Sequence, residues 1–171
     1  AEADAMYAGI VIDTNNFTNQ TGVRTFEAAA FLRRNGADVT RVRKLFRDDM
    51  QDYKARAAAI SSAEIYREAF SIGVCPSEGL PSPTIVCAQA ANELLEIKGI
   101  KASVVMTEYH GLIYLSARSI DEVNVQVMME KLGGGGHRTI AGAQLSGISM
   151  EEAKDRVKAV IDEMLQKGDI S

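Results

Sequence analysis

The stretch Ser116–Ala143, SARSIDEVNVQVMMEKLGGGGHRTIAGA, decides how the rest of the chain is read. It sets four consecutive glycines, Gly133 to Gly136, between an apolar helical pattern and a short apolar run. Such a run is costly, because glycine loses more backbone freedom on folding than any other residue. It is useful where the chain takes a positive φ, or where a ligand approaches backbone N–H groups closely. A loop of this kind forms a concave nest that suits phosphate or another anion. His137, one of only two histidines, follows the run directly, and Arg118 stands at an expected strand end before it. A flexible linker is the bland alternative, but linkers are not usually flanked at once by structured apolar segments.

Working outward, Val125–Leu132 has helical spacing and ends at the glycines, with Asp121 or Asn124 near its start. Before it, Ala102–Tyr109 and Leu112–Ala117 alternate as two strands. They are joined by His110-Gly111, a two-residue connection with hairpin chemistry that gives His110 a structural task. After the glycines, Ile140–Leu145 reads as a further strand. Ser149 with Glu152 three residues on is a capping box that opens the last helix, which carries Ala153, Val157, Ile161 and Met164 on one face. Upstream, Phe70–Val74 is a strand, and Ser82-Pro83 starts a helix to about Ile97 that presents Ile85, Val86, Ala91 and Leu94. Residues 70–171 are therefore expected to form a compact α/β domain, a small mixed sheet flanked by helices.

The first third of the chain looks different. Met6–Ile12 is apolar, like the end of a buried element, and leads into Asp13-Thr14-Asn15-Asn16, which has turn chemistry. Taken alone, Asp13 is a helix cap, a turn former or a functional carboxylate at an element end. Thr25 is placed to cap a helix to Asn35, with Phe26, Ala29 and Leu32 on its apolar face and Glu27 in its first turn. A second short helix is expected over Thr40–Arg47, with Val42, Leu45 and Phe46 inward. Met50–Ala69 reads as one long helix connecting this region to the α/β domain. The expected division is thus 1–49, 50–69 and 70–171.

Composition narrows the function classes. The chain has 171 residues, 46% hydrophobic and 25% charged, which is ordinary for a globular protein. A net charge of −4, from 19 basic and 23 acidic residues, argues against an electrostatic grip on duplex nucleic acid, though not against a local phosphate site. Cys75 and Cys87 lack metal or redox spacing and read as reduced, buried thiols of an intracellular domain. No apolar run approaches the roughly 18 residues that a bilayer span needs.

The string NVQVMMEKLGGGGH, with SARS before it and AGAQ after it, resembles the DHH-associated domain of DHH-family phosphoesterases. The opening, YAGIVIDTNNFTNQTGVRTFEAAAFLRRNGAD, is similar to the last part of the DHH catalytic domain that precedes it. The wording of both is most like the bacterial cyclic-di-AMP phosphodiesterases. The resemblance implies an enzyme that hydrolyses a phosphodiester with two manganese ions held by the DHH domain, and a substrate that is a cyclic dinucleotide or short oligonucleotide. It implies a metal-ligand role for Asp13 and substrate contacts from Ser116, Arg118, Asn124, Gly133, Gly134, Gly135, Gly136 and His137. Asn124 is equally a helix cap. His137, the candidate catalytic residue, either hydrogen-bonds a phosphate oxygen or protonates a leaving group.

The DHH triplet and the upstream aspartate motifs are absent from this sequence, and Asp13 alone cannot hold two metals. The expectation is therefore a C-terminal portion of the enzyme that is inert by itself and without manganese. The soluble part would be cytoplasmic, in a parent protein anchored in the membrane, and a severed domain face would favour a homodimer. Two other readings compete. One is an RNA- or single-strand-DNA-binding accessory domain, for which Tyr109 and Tyr114 are the only nearby stacking side chains. The other gives the glycines no task beyond a tight turn.

Overall fold

In a computed structural model, the described residues run from Ala1 to Gly168; the last three residues of the expected α/β domain lie outside them. They form two compact units, Ala1–Asp48 and the residues from Asp49 onward.

The first unit is helical: α1 (Glu2–Asp13), α2 (Val23–Arg34) and α3 (Val39–Leu45). Asp38 caps α3, its carboxylate accepting from the N–H groups of Thr40 at 2.8 Å and Arg41 at 3.2 Å. Asp4 on α1 accepts from the Asp38 N–H at 2.7 Å and pairs with Arg41 Nε at 2.9 Å, which ties α1 to the start of α3. The buried apolar side chains are Ala8, Ala29, Leu32, Ala37 and Val42. Several expectations fail here. α2 starts at Val23 with Gly22 at its cap, so Thr25 is inside the helix. Phe26 and Leu45, expected inward, are 54% and 66% exposed, and Met6 and Ile12 on α1 are also exposed. The buried stripe is narrow, carried by Ala8 on α1 and by Ala29 and Leu32 on α2, and helical spacing alone does not say which edge of a broad stripe is covered.

In the second unit, α4 (Met50–Ser61) leads to β1 (Glu64–Tyr66) and β2 (Phe70–Val74). The single long helix expected to reach Ala69 therefore ends at Ser61. Its continuation is an antiparallel hairpin in which Tyr66 faces Phe70. The turn is made by Arg67 and Glu68, both left-handed at φ 48° and 63°, a conformation that non-glycine residues do not advertise in sequence. Tertiary contacts override the local helix preference. The Tyr66 hydroxyl donates to Asp162 at 2.8 Å, and Arg67 Nε donates to the same carboxylate at 2.8 Å. Nor is α4 a free connector, since Ala55 and Ala59 are buried in a cluster with the next helix.

The chain continues through α5 (Pro83–Leu94), β3 (Ala102–Tyr109), β4 (Leu112–Ser119), α6 (Val125–Glu130), β5 (Gly135–Gly136), β6 (Ile140–Ser146) and α7 (Met150–Lys167). The six strands make one mixed sheet in the order β1-β2-β3-β4-β6-β5. Only β2 and β3 are parallel, joined through α5; the rest are antiparallel. His110 and Gly111 take φ 51° and 74°, the two positive values that a tight hairpin of this hand requires.

Strand alternation sorts the core into two layers. Val104, Met106, Ile113, Leu115 and Ala117 pack with Met128, Val157 and Ile161 of α6 and α7. Val105, on the opposite face, packs with Val86, Cys87 and Ala90 of α5. α5 runs over β3 and the near side of β4, and leaves the outer strands uncovered on its side of the sheet. Ile85 of α5, expected in the core, is 59% exposed. Among the described residues, no helix is long and apolar enough to cross a membrane.

Candidate functional site

The glycine run begins as the end of α6. Asn124 caps that helix at its start, its side-chain oxygen accepting from the N–H groups of Gln126 and Val127 at 3.1 and 3.4 Å. At the other end Gly133 is left-handed, φ 79°, and the Gly134 N–H donates to Met129 O at 2.8 Å, the reach of a Schellman motif. The chain then folds onto β6 so closely that a Cβ on Gly134 would lie 2.1 Å from Gly142 O. On Gly136 it would lie 2.5 Å from the Ala141 Cα. Gly135 differs, since nothing lies within 4 Å of the position its Cβ would take. Two of the four glycines, Gly134 and Gly136, thus have packing reasons and Gly133 a conformational one, and the N–H groups of Gly133 and Gly134 serve the end of α6. The expected nest of free amides is therefore smaller than the sequence suggests, and the main property of the loop is that it has no side chains.

Register brings the other candidates to this loop. Across the sheet, Val105 faces Ser116, Ser116 faces Gly142, and Gly142 faces Gly135. Arg118, two residues along β4, shares the face of Ser116 and sits opposite Ile140. Adjacent strands are about 4.8 Å apart, so the side chains of β4 and the bare strand β5 border one shallow trough over β6. Its hairpin end opens into a cavity of about 480 Å³ lined by Tyr114, Gly133, Gly134, Gly142 and Gln144. Ile140 is 48% exposed and Gln144 is exposed, so this face is open.

Arg118 is the charged group of the trough. Its Nη1 donates to Ala117 O at 2.9 Å, while its Nε is buried and has no hydrogen-bond partner among the described residues. A buried donor left unmade costs about 1–3 kcal/mol, a reason to look for an acceptor that is not part of the protein. Burial lowers the guanidinium from its ordinary value, yet arginine stays charged in proteins. Beneath it, burial pushes the Cys87 thiol up to about 12, against hydrogen bonding from Ser116. Cys75 is likewise raised to about 11, so both free, buried cysteines are inert thiols.

His137 opens the turn between β5 and β6: its N–H donates to Ile140 O at 2.7 Å, and its exposed ring is unconstrained by that bond. Arg138 fixes the turn to the loop before α6 through Asp121, with Nε–Oδ1 at 3.0 Å. Asp13, at the end of α1 in the first unit, is exposed. It is followed by Asn15, Asn16 and Phe17 at φ 44°, 57° and 65°, a strained left-handed run. A manganese pair does not fit the residues present. Among the described residues, no group of three or more His, Cys, Asp or Glu side chains is arranged to hold a metal ion. Gly142 and Gln144 went unnoticed in the sequence, because their place beside Ser116 and Tyr114 depends on a register that only the paired strands define.

The result is an α/β domain whose half-covered mixed sheet carries a glycine loop along its open edge. A model of the DHHA1 domain matches residues 82–167, half of the chain, and the chain belongs to that family and with it to the DHH-family phosphoesterases. It is 43% identical over 162 residues to the cyclic-di-AMP phosphodiesterase PdeA of Listeria monocytogenes, covering 94% of this chain and 24% of the relative. It is 43% identical over 169 residues to the cyclic-di-AMP phosphodiesterase GdpP of Bacillus subtilis, covering 98% of this chain and 26% of the relative. The chain thus spans about a quarter of the length of these relatives. An exopolyphosphatase-related protein from Bacteroides fragilis has the same fold, with a TM-score of 0.83 over 95% of this chain and 50% of that one, at 22% identity.

Proposed function

We propose that this chain is the substrate-holding part of a phosphodiesterase that acts on cyclic-di-AMP or a short linear dinucleotide. The observation that carries the reading is the row Ser116–Gly142–Gly135 with Arg118 beside it: one fixed cation and a hydroxyl facing a floor without side chains. The two relatives named for cyclic-di-AMP support the choice of substrate. In this reading the Arg118 fork takes a phosphate oxygen pair, where charge-assisted N–H···O bonds are about twice as strong as neutral ones. Ser116 donates to the same phosphate or its sugar. The glycines let the phosphodiester approach the backbone, and the exposed His137 ring reaches over it as a hydrogen-bond donor.

Bond cleavage by the parent enzyme belongs to manganese ions, and among the described residues no group of three or more His, Cys, Asp or Glu side chains is arranged to hold them. The chain therefore binds and does not cut. The parent protein's membrane anchor, the cytoplasmic place of this part and the pairing of two copies belong to the same reading.

Calorimetric titration of the chain with linear diadenylate tests the proposal. Wild type binds, and Arg118→Ala weakens binding at least tenfold; equal affinity in the two would refute it. Incubated with manganese and cyclic-di-AMP, the pure chain yields no linear product, and turnover above a Ser116→Ala, Arg118→Ala control would refute the assignment of cleavage elsewhere.

A further inference from the structure

The trough extends past the residues that the phosphate reading uses. Two positions before Ser116 on the same face of β4 is Tyr114, about 6.6 Å further along the strand. Its cross-strand partner is Gln144 of β6, and both line the cavity that Gly133 and Gly134 border. Tyr114 is half-buried and Tyr109 tilts against it, ring centroids 6.4 Å apart at 55°, with the His110 ring 3.9 Å from Tyr109. That packing supports the Tyr114 ring from the hairpin side and leaves the cavity side free.

We propose that Tyr114 and Gln144 form a base-reading subsite, Tyr114 as the stacking platform and Gln144 as the group that selects adenine. This rests on the phosphate site at Arg118 and adds what it lacks, since a guanidinium and a glycine floor read charge and not the base. An aromatic ring stacks on any base, because every base has a π-face. A glutamine amide discriminates: it accepts from the adenine N6 amine and donates to N7, whereas guanine offers two acceptors, O6 and N7, along the same edge. Gln144 is exposed, and its strand neighbours Ala143 and Leu145 are buried on the other face, so β6 presents this one amide to the cavity. The ring and the amide sit on adjacent strands in register, which places the edge-reader beside the platform.

The test is titration of the chain with linear diadenylate, linear diguanylate and ribose 5-phosphate, after circular dichroism has shown each variant folded. Wild type prefers diadenylate over diguanylate by about tenfold or more. Tyr114→Leu weakens both dinucleotides by about tenfold and leaves ribose 5-phosphate unchanged, while Tyr114→Phe keeps wild-type affinity. Gln144→Ala abolishes the adenine preference, whereas Gln144→Glu, which still accepts from N6 but cannot donate to N7 or to either guanine acceptor, weakens both dinucleotides and keeps the preference. Wild-type affinity and preference in both Tyr114→Leu and Gln144→Ala would overturn the base subsite alone, provided Arg118→Ala still weakens binding. Failure of the wild-type chain to bind either dinucleotide would overturn it together with the phosphate site.

Discussion

The glycine run can be taken apart residue by residue. Gly134 faces Gly142 O at a distance that no real Cβ tolerates, whereas Gly135 faces open space without a left-handed φ. Gly134→Ala is therefore expected to destabilise the fold by about 3 kcal/mol, the upper range for overpacking a close contact. Gly135→Ala should be neutral or stabilise by up to about 1 kcal/mol, as such changes do where the backbone is compatible. Chemical denaturation of the two variants checks this. If Gly135 serves the ligand, its alanine variant keeps stability and loses diadenylate affinity, and that split separates a binding role from a turn. Arg118 invites a similar comparison. Its buried Nε lacks a partner, so Arg118→Met should leave the denaturation midpoint unchanged or slightly raised even as binding falls.

At the scale of elements, the glycine loop is held through the end of α6. Lys131, the residue closing α6, pairs with Glu163 of α7 at 2.9 Å, and Lys167 pairs with the same carboxylate. The Lys167 bond first, then that of Lys131, brings Glu163 from 4.5 down to about 2. A carboxylate depressed in the folded state adds stability above its unfolded value and loses it as pH falls toward its folded value. The wild-type midpoint should therefore drop between pH 4.5 and about 2 more steeply than that of Glu163→Gln. Because the pair is exposed, added salt should shrink the difference. A parallel loss in both proteins would show that the clamp does not couple α6 to α7.

Elements also show what the sequence revealed. The β3–β4 hairpin, the Ser149 cap and the helix before the glycines were legible because each has a local chemical marker: His110-Gly111, Ser149 with Glu152, and Asn124. β1 was not legible. Its turn uses Arg67 and Glu68, which carry no turn signature, and Asp162, which holds Tyr66 and Arg67, lies far outside any local window. The open face was half legible, since alternation gives Ser116, Arg118 and Tyr114 and a strand over Ile140–Leu145, but not the register that sets Gly142 and Gln144 beside them.

For the whole molecule, the two units differ in how much they bury. The unit Ala1–Asp48 has a core of three alanines with Leu32 and Val42, while Met6, Phe26 and Phe31 face out. A unit of this size is near the lower limit for independent stability, about 40 residues. Hydrogen exchange should therefore find α1 to α3 poorly protected under conditions where β3, β4 and α5 exchange only by global unfolding. Equal protection in both units would contradict this.

An unpaired strand edge invites a strand from another chain, and proteins that expose one risk fibrils. Here one edge is the three-residue β1, ringed by Glu64, Arg67 and Lys158 in ion pairs. The other is β5, two glycines long, with Gly136 at φ 148° turning its backbone out of the extended form. A strand so short and irregular offers an incoming chain too little ladder to zip onto. The same bareness that opens the trough to a small molecule closes the sheet to a polymer.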